Sequence, residues 1–209
     1  MMSEARTAIL NRLRAAQRTG SIPAIPRAVE IPEAPPRSAG ECLSRFIQEL
    51  TALGVEHYVE DSSAAVWARV SQLVRGKRVL AWSGAQLPYN VGTAAAEAIQ
   101  GGHPRSELEA AEIGLTGCSA AIAETGTLVM LSGVGRPRVA SLLPPVHLAV
   151  VRRTDLYFGM TEFMRDRARD VGGVTNCTFI TGPSRTADIE LTLTIGVHGP
   201  GKVVVIVGP

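Results

Sequence analysis

The strongest constraint on the fold is a change of hydrophobic period that recurs between residues 38 and 102. Leu43, Phe46, Ile47, Leu50 and Leu53 fall at helical spacing and stop at Gly54, a residue suited to a left-handed C-cap. Val55–Glu60 then alternates like a strand. Helical spacing returns over Ser62–Val74, with Val66, Val70, Leu73 and Val74 inward and Gly76 closing it. Lys77–Trp82 reads as a short buried strand, and Val91–Gln100 as a helix ended by Gly101-Gly102. Helices alternating with short apolar strands cover both faces of a sheet. The pattern therefore predicts an α/β fold with a mostly parallel sheet flanked by helices.

The middle of the chain differs. Ala120–Ala123 and Thr127–Leu131 read as two strands joined at Glu124-Thr125-Gly126. Pro144–Val151 holds a further strand, and Gly159–Val171 a helix with Met160, Phe163, Met164, Ala168 and Val171 inward. Asn176–Pro183 and Lys202–Pro209 are expected to finish the same sheet. Upstream, Ala5, Ile9, Leu13 and Ala16 share one helical face, and Thr19–Arg37 carries five prolines. Proline removes a backbone donor and resists helix and sheet, so this stretch reads as an extended arm. The expected division is residues 1–37, helix and arm, and residues 38–209, the α/β domain. An amphipathic helix on such an arm either docks on a neighbouring subunit or swings freely, and a homodimer is the expectation under the first reading.

Composition excludes some classes. Lys and Arg number 21 against 19 Asp and Glu, scattered along a chain with 4% aromatics, which is no footprint for nucleic acid. Arg12, Arg14 and Arg18, like Arg165, Arg167 and Arg169, sit in helical patterns and read as solvated faces. Cys42, Cys118 and Cys177 lie far apart with no second ligand at metal spacing. The expectation is therefore a reducing compartment, with no metal or cofactor in this chain. No apolar run approaches the roughly 20 residues of a membrane helix, so a cytoplasmic protein without a span is expected.

Three short stretches could carry chemistry. In Ile122–Val129 a carboxylate sits at a strand junction before Thr125, Gly126 and Thr127. Glu124 could act there as a general base or nucleophile, with the hydroxyls and backbone N–H groups cradling an anion. The same spacing also describes a tight hairpin with a capped or exposed acid. In Gly182–Glu190, Ser184 follows Gly182-Pro183 and precedes Arg185, Asp188 and Glu190. That corner reads either as helix cap and ion pair or as an anion wall, with Arg185 supplying a bidentate fork. In Gly196–Gly201, His198 could shuttle protons or be a hydrogen-bonded turn residue, and His147 at the opening of a strand poses the same choice. The polar loop Ser83–Asn90 follows a strand and faces the crevice expected at the carboxyl ends of a parallel sheet. The phosphate-loop and nucleophile-elbow motifs are absent, and Gly133–Arg138 lacks the last glycine of a dinucleotide fingerprint.

Together, Leu115–Val129, Pro144–Val151, Gly182–Glu190 and Gly196–Pro200 resemble the LUD-domain family, in its lactate utilization protein C branch. The resemblance covers about Ser38 to Pro209. Cys118-Ser119 departs from it, standing where an Ala-Asp pair is expected. The resemblance implies a fold like that of NagB, RpiA and the CoA transferases. It also implies a role in oxidizing L-lactate to pyruvate, with iron–sulfur clusters held by partner subunits rather than by this chain. The site expected on these grounds binds a small carboxylate or phosphate-containing ligand through Thr125, Gly126, Thr127, Gly182, Ser184, Arg185 and Asp188, with Glu124 and His198 as candidate catalytic groups. Two alternatives stand beside it: an autonomous isomerase or acyl- or CoA-transfer enzyme using Glu124, and a metabolite-sensing regulatory module.

Overall fold

A computed structural model describes residues 2–20, 37–186 and 194–209. The arm residues 21–36, and Asp188 and Glu190, lie outside the described residues. Helix α1 (Met2–Thr19) belongs to one compact unit and the chain from Pro35 to Pro209 to another.

Ser38 opens α2 (Ala39–Ala52) by reciprocal capping: Glu41 N–H donates to its hydroxyl (3.2 Å), and the Glu41 carboxylate accepts from its N–H (2.8 Å). Cys42, Phe46 and Leu50 are buried, and the helix ends before Gly54 at φ 71°. The chain then alternates through β1 (Glu56–Val59), α3 (Ser63–Val74), β2 (Val79–Ala81), α4 (Arg105–Glu109) and β3 (Ile113–Thr116). There follow β4 (Ala120–Ile122), β5 (Thr127–Leu131), α5 (Val139–Leu142), β6 (Val146–Arg152), β7 (Leu156–Tyr157), α6 (Met160–Gly172) and β8 (Cys177–Ile180). The last elements are β9 (Arg185–Thr186), β10 (Thr194–Ile195) and β11 (Lys202–Gly208).

The expected α/β architecture is present. Five strands form a parallel sheet in the order β1-β11-β6-β3-β2. The last strand enters the centre, between β1 and β6, and Val203–Val207 are all buried. A strand covered on both faces must be apolar where it is buried, and Val203–Val207 are. Helix α3 packs on β11, and α5 on β3 and β6.

Several local expectations are corrected. The strands do not finish one sheet: β7-β4-β5-β8 form a second sheet, and β9-β10 a separate antiparallel pair. Asn176–Pro183 therefore pairs with β5 while Lys202–Pro209 joins the parallel sheet. Phe163 of α6 fills the core over the second sheet with Ala120, Ile122, Val129 and Leu131, meeting the rings of Tyr157 (5.6 Å) and Phe179 (6.2 Å) edge-on. Met164 and Ala168, expected inward, are exposed. The predicted helix Val91–Gln100 is a 3₁₀ segment, Pro88–Ala95, kinked at Tyr89 and Asn90, whose φ values are 55° and 53°. The chain turns after Ala95, and Ile99 bridges to Leu80 instead of continuing a helix.

One close approach fixes α5 relative to the sheet. A Cβ on Gly114 of β3 would lie 1.7 Å from the carbonyl oxygen of Ala140. The helix backbone therefore rests directly on the strand. Gly114→Ala is expected to lower unfolding free energy by about 3 kcal/mol through overpacking, measured by chemical denaturation. A loss below about 0.5 kcal/mol, the range of neutral surface changes, would show that α5 moves aside freely.

Candidate functional site

The β11–β6 register places Val203 beside His147, each the second residue of its strand. Above this amino edge, α5 contributes Ser141 and Leu142, and β8 with the following turn contributes Thr178 to Arg185. The loop entering β11 adds His198, Gly199 and Pro200. Together they enclose a cavity of about 390 Å³. Backbone pairing draws the last two segments together: Ser184 N–H donates to Pro200 O, and Gly196 N–H to Ser184 O, both at 2.9 Å.

His147 is fully buried at the floor of this cavity. Its Nε2 shares a hydrogen bond with Thr116 Oγ1 (2.8 Å), while Nδ1 is buried without a partner. Burial pushes the imidazole down to about 4 from 6.5, so the ring is neutral near physiological pH. A neutral ring with one free nitrogen can donate to or accept from a ligand, according to tautomer. The rim carries exposed His198 and Arg185. One Arg185 nitrogen donates to Leu53 O (2.7 Å), a carbonyl at the C-terminal end of α2, where a cation is favoured.

The cavity thus unites Gly182, Ser184, Arg185 and His198 with His147. It does so at the amino edge of the parallel sheet, not at the carboxyl ends where a crevice was expected. The reason is topological: the loop containing His198 feeds a strand parallel to β6 and so enters beside the start of β6. Ser184 caps no helix, because Arg185-Thr186 form β9 and pair with β10. The expected helix N-terminus for an anion is therefore not at Ser184.

Glu124 stands apart from this cavity. Its carboxylate accepts the Met160 N–H (3.1 Å) at the start of α6, and its own N–H donates to Phe158 O (2.9 Å). This is cap chemistry, with a negative group at a helix N-terminus. Gly126 takes φ 65°, and a Cβ there would sit 3.0 Å from Leu53 Cδ1 and 3.1 Å from Glu49 Cβ, so the turn lies tight against α2. The Thr125 and Thr127 hydroxyls bond each other (2.7 Å), and Thr127 bonds Thr181 (2.8 Å), which lines the cavity. These threonines support the cavity wall, and Glu124 is absent from its lining.

A second depression, of about 240 Å³, lies at the carboxyl edge. Trp82 follows β2, Cys118 and Ser119 follow β3, Arg152 ends β6, and Gln86 and Pro88 come from the loop expected to face this crevice. Arg136, Asp155 and Arg167 complete the lining. The arginines come from three separate segments, which spacing alone could not bring together. Arg167 was legible only as part of a solvated helix face.

The fold and cavities define a mixed α/β protein with a parallel central sheet and clefts at both of its edges. The sequence profile described as the LUD domain matches residues 43–207. Lactate utilization protein C of Deinococcus radiodurans is 32% identical over 202 residues, 95% of this chain and 91% of that protein. Its namesake in Halalkalibacterium halodurans is 41% identical over 98 residues, a stretch spanning 43% of that protein's length. A crystal structure of a DUF162 family protein from Deinococcus radiodurans superposes with a TM-score of 0.67 at 25% identity, over 83% of this chain and all of the other. The chain belongs to the LUD domain family.

Two outcomes follow from this geometry. Glu124→Ala is expected to cost about 1 kcal/mol by uncapping α6, measured by urea denaturation; an unchanged midpoint would contradict the capping role. His147 has its folded pKa lowered from 6.5 to about 4. Its contribution to stability is therefore intact above about pH 6.5 and is lost as pH falls towards 4, because the unfolded chain takes up the proton first. His147→Gln should flatten the fall in unfolding free energy between about pH 6.5 and pH 4.5. An unaltered profile would show that this ring does not titrate with unfolding.

Proposed function

We propose that this chain takes part in lactate utilization as a component that holds a small 2-hydroxy or 2-oxo carboxylate in the His147 cavity. In this reading, oxidation of L-lactate to pyruvate is completed with partner proteins that carry iron–sulfur clusters. The relatives named lactate utilization protein C support the physiological setting. The observation that carries the binding role is the buried, unpartnered His147 Nδ1 at the floor of a cavity whose rim bears Arg185 and His198. A neutral imidazole suits a hydroxyl or carbonyl oxygen, and a guanidinium suits the carboxylate. Ser184 supplies a further hydroxyl on the same wall. Asp188 is proposed as a member of this wall on the strength of the motif alone. Capping of α6 by Glu124 supports this binding role over a transferase centred on that carboxylate.

Calorimetric titration with L-lactate and with pyruvate tests the reading. Saturable binding of at least one is expected, weakened about tenfold or more in Arg185→Gln by loss of a charge-assisted hydrogen bond. Absence of binding by both compounds up to about 10 mM, a range weaker than ordinary metabolite sites, would overturn it.

A further inference from the structure

The carboxyl-edge crevice is chemically unlike the His147 cavity and shares no lining residue with it. Three guanidiniums line it, those of Arg136, Arg152 and Arg167, against a single carboxylate, Asp155. Burial pushes the Asp155 carboxyl up from its ordinary value, while Arg152 and Arg167 pull it down. Burial also holds the Cys118 thiol up at about 12, so the thiol adds no negative charge. Arg167 is partly committed: it pairs with Asp170 and donates to Ser119 O (3.4 Å). Arg136 and Arg152 are different. Among the described residues, neither makes an ion pair or a side-chain hydrogen bond, and the Nε of Arg136 is buried without a partner.

The backbone is shaped to hold Arg136 in place. Gly135 takes φ 73°, and a Cβ there would lie 2.3 Å from Ser83 Oγ. That close approach lets Ser83 N–H donate to Gly135 O (2.8 Å), tying the Arg136 loop to the residues after β2. At Gly117, a Cβ would meet Gln86 O at 3.1 Å and Trp82 at 3.5 Å, so glycine lets the Gln86 segment close over the start of the β3–β4 link. Buried donors without partners are costly, and excess like charge around a cavity is costly again. A ligand that accepts from two forks removes both costs. In open α/β sheets the crevice outside the carboxyl ends is where ligands bind.

We propose that this crevice is a binding site for a compact dianion, a small dicarboxylate or a phosphate-bearing metabolite, held between Arg136 and Arg152, with Arg167 as a third contact. At about 240 Å³ the space is smaller than the roughly 300–1,000 Å³ of sites for drug-sized ligands, which favours small molecules over nucleotides.

Isothermal titration of the full chain with malonate, and separately with inorganic phosphate, tests this proposal. Saturable binding of at least one probe is expected, and whichever binds assigns the dicarboxylate or the phosphate class. Arg136→Gln and Arg152→Gln should each weaken binding about tenfold or more. Arg105→Gln, which removes an exposed arginine paired with Glu109, should leave it unchanged. Arg152 is itself exposed, so its variant keeps the test valid even if Arg136→Gln fails to fold. Absence of binding for both probes, or affinity that survives Arg152→Gln, would overturn the proposal. Arg136 and Arg152 line only this crevice and not the His147 cavity, so loss of probe binding in their variants separates this site from that one.

Discussion

Everything about the cavity depends on the pairing of β11 with β6. The last strand of the chain does not add to an edge but inserts at the centre, in parallel register from Lys202–Val146 to Gly208–Arg152. Because the strands are parallel, their amino ends lie side by side, and so do the segments that feed them. The loop carrying His198 is thereby brought over His147, and Ser184 is drawn in by its hydrogen bonds to Pro200 and Gly196. A slip of β11 by one residue would turn Val203 to the opposite face of the sheet, while β3 holds His147 in place. A slip that moved Lys202, exposed at the strand's start, into the buried position of Val203 is opposed by the cost of burying its charge.

Much of this fold was legible in the sequence. The periods of α2, α3 and α6 and the apolar runs of β6 and β11 follow from local physics, as do the stops at Gly54 and Gly76. Partner choice among strands does not. Nothing in Asn176–Pro183 states that it pairs with β5 rather than beside β11, because both runs satisfy the same burial rule. The same limit explains Ser184. Gly-Pro-Ser is good cap chemistry, but its backbone partners lie on Pro200 and Gly196, and long-range pairing prevailed over local preference. At Val91–Gln100, the long-range bridge from Ile99 to Leu80 cut short a pattern that composition alone continued as a helix.

The residues of the candidate cavity were legible in part. Gly182, Ser184, Arg185 and His198 converge on one cavity, and His147, ambiguous as a strand opener, forms its floor. Glu124 carried the sharpest chemical suggestion and has a plain structural use, capping α6 from the turn before β5. Thr125 and Thr127 are linked to the cavity only through Thr181. The carboxyl-edge arginines were invisible because Arg136, Arg152 and Arg167 are ordinary surface residues when taken one at a time. Only the closure of the segments after β2, β3 and β6 around one depression gives them a common meaning.

The central claim is that His147 is a neutral, ligand-facing group. Its ring ¹⁵N resonances, followed by NMR during titration with L-lactate near neutral pH, test that claim most directly. The account predicts the shifts of a neutral imidazole, with Nδ1 moving saturably as ligand is added. Ring shifts that titrate near an ordinary histidine pKa of about 6.5, or an Nδ1 signal indifferent to L-lactate at saturation, would contradict it.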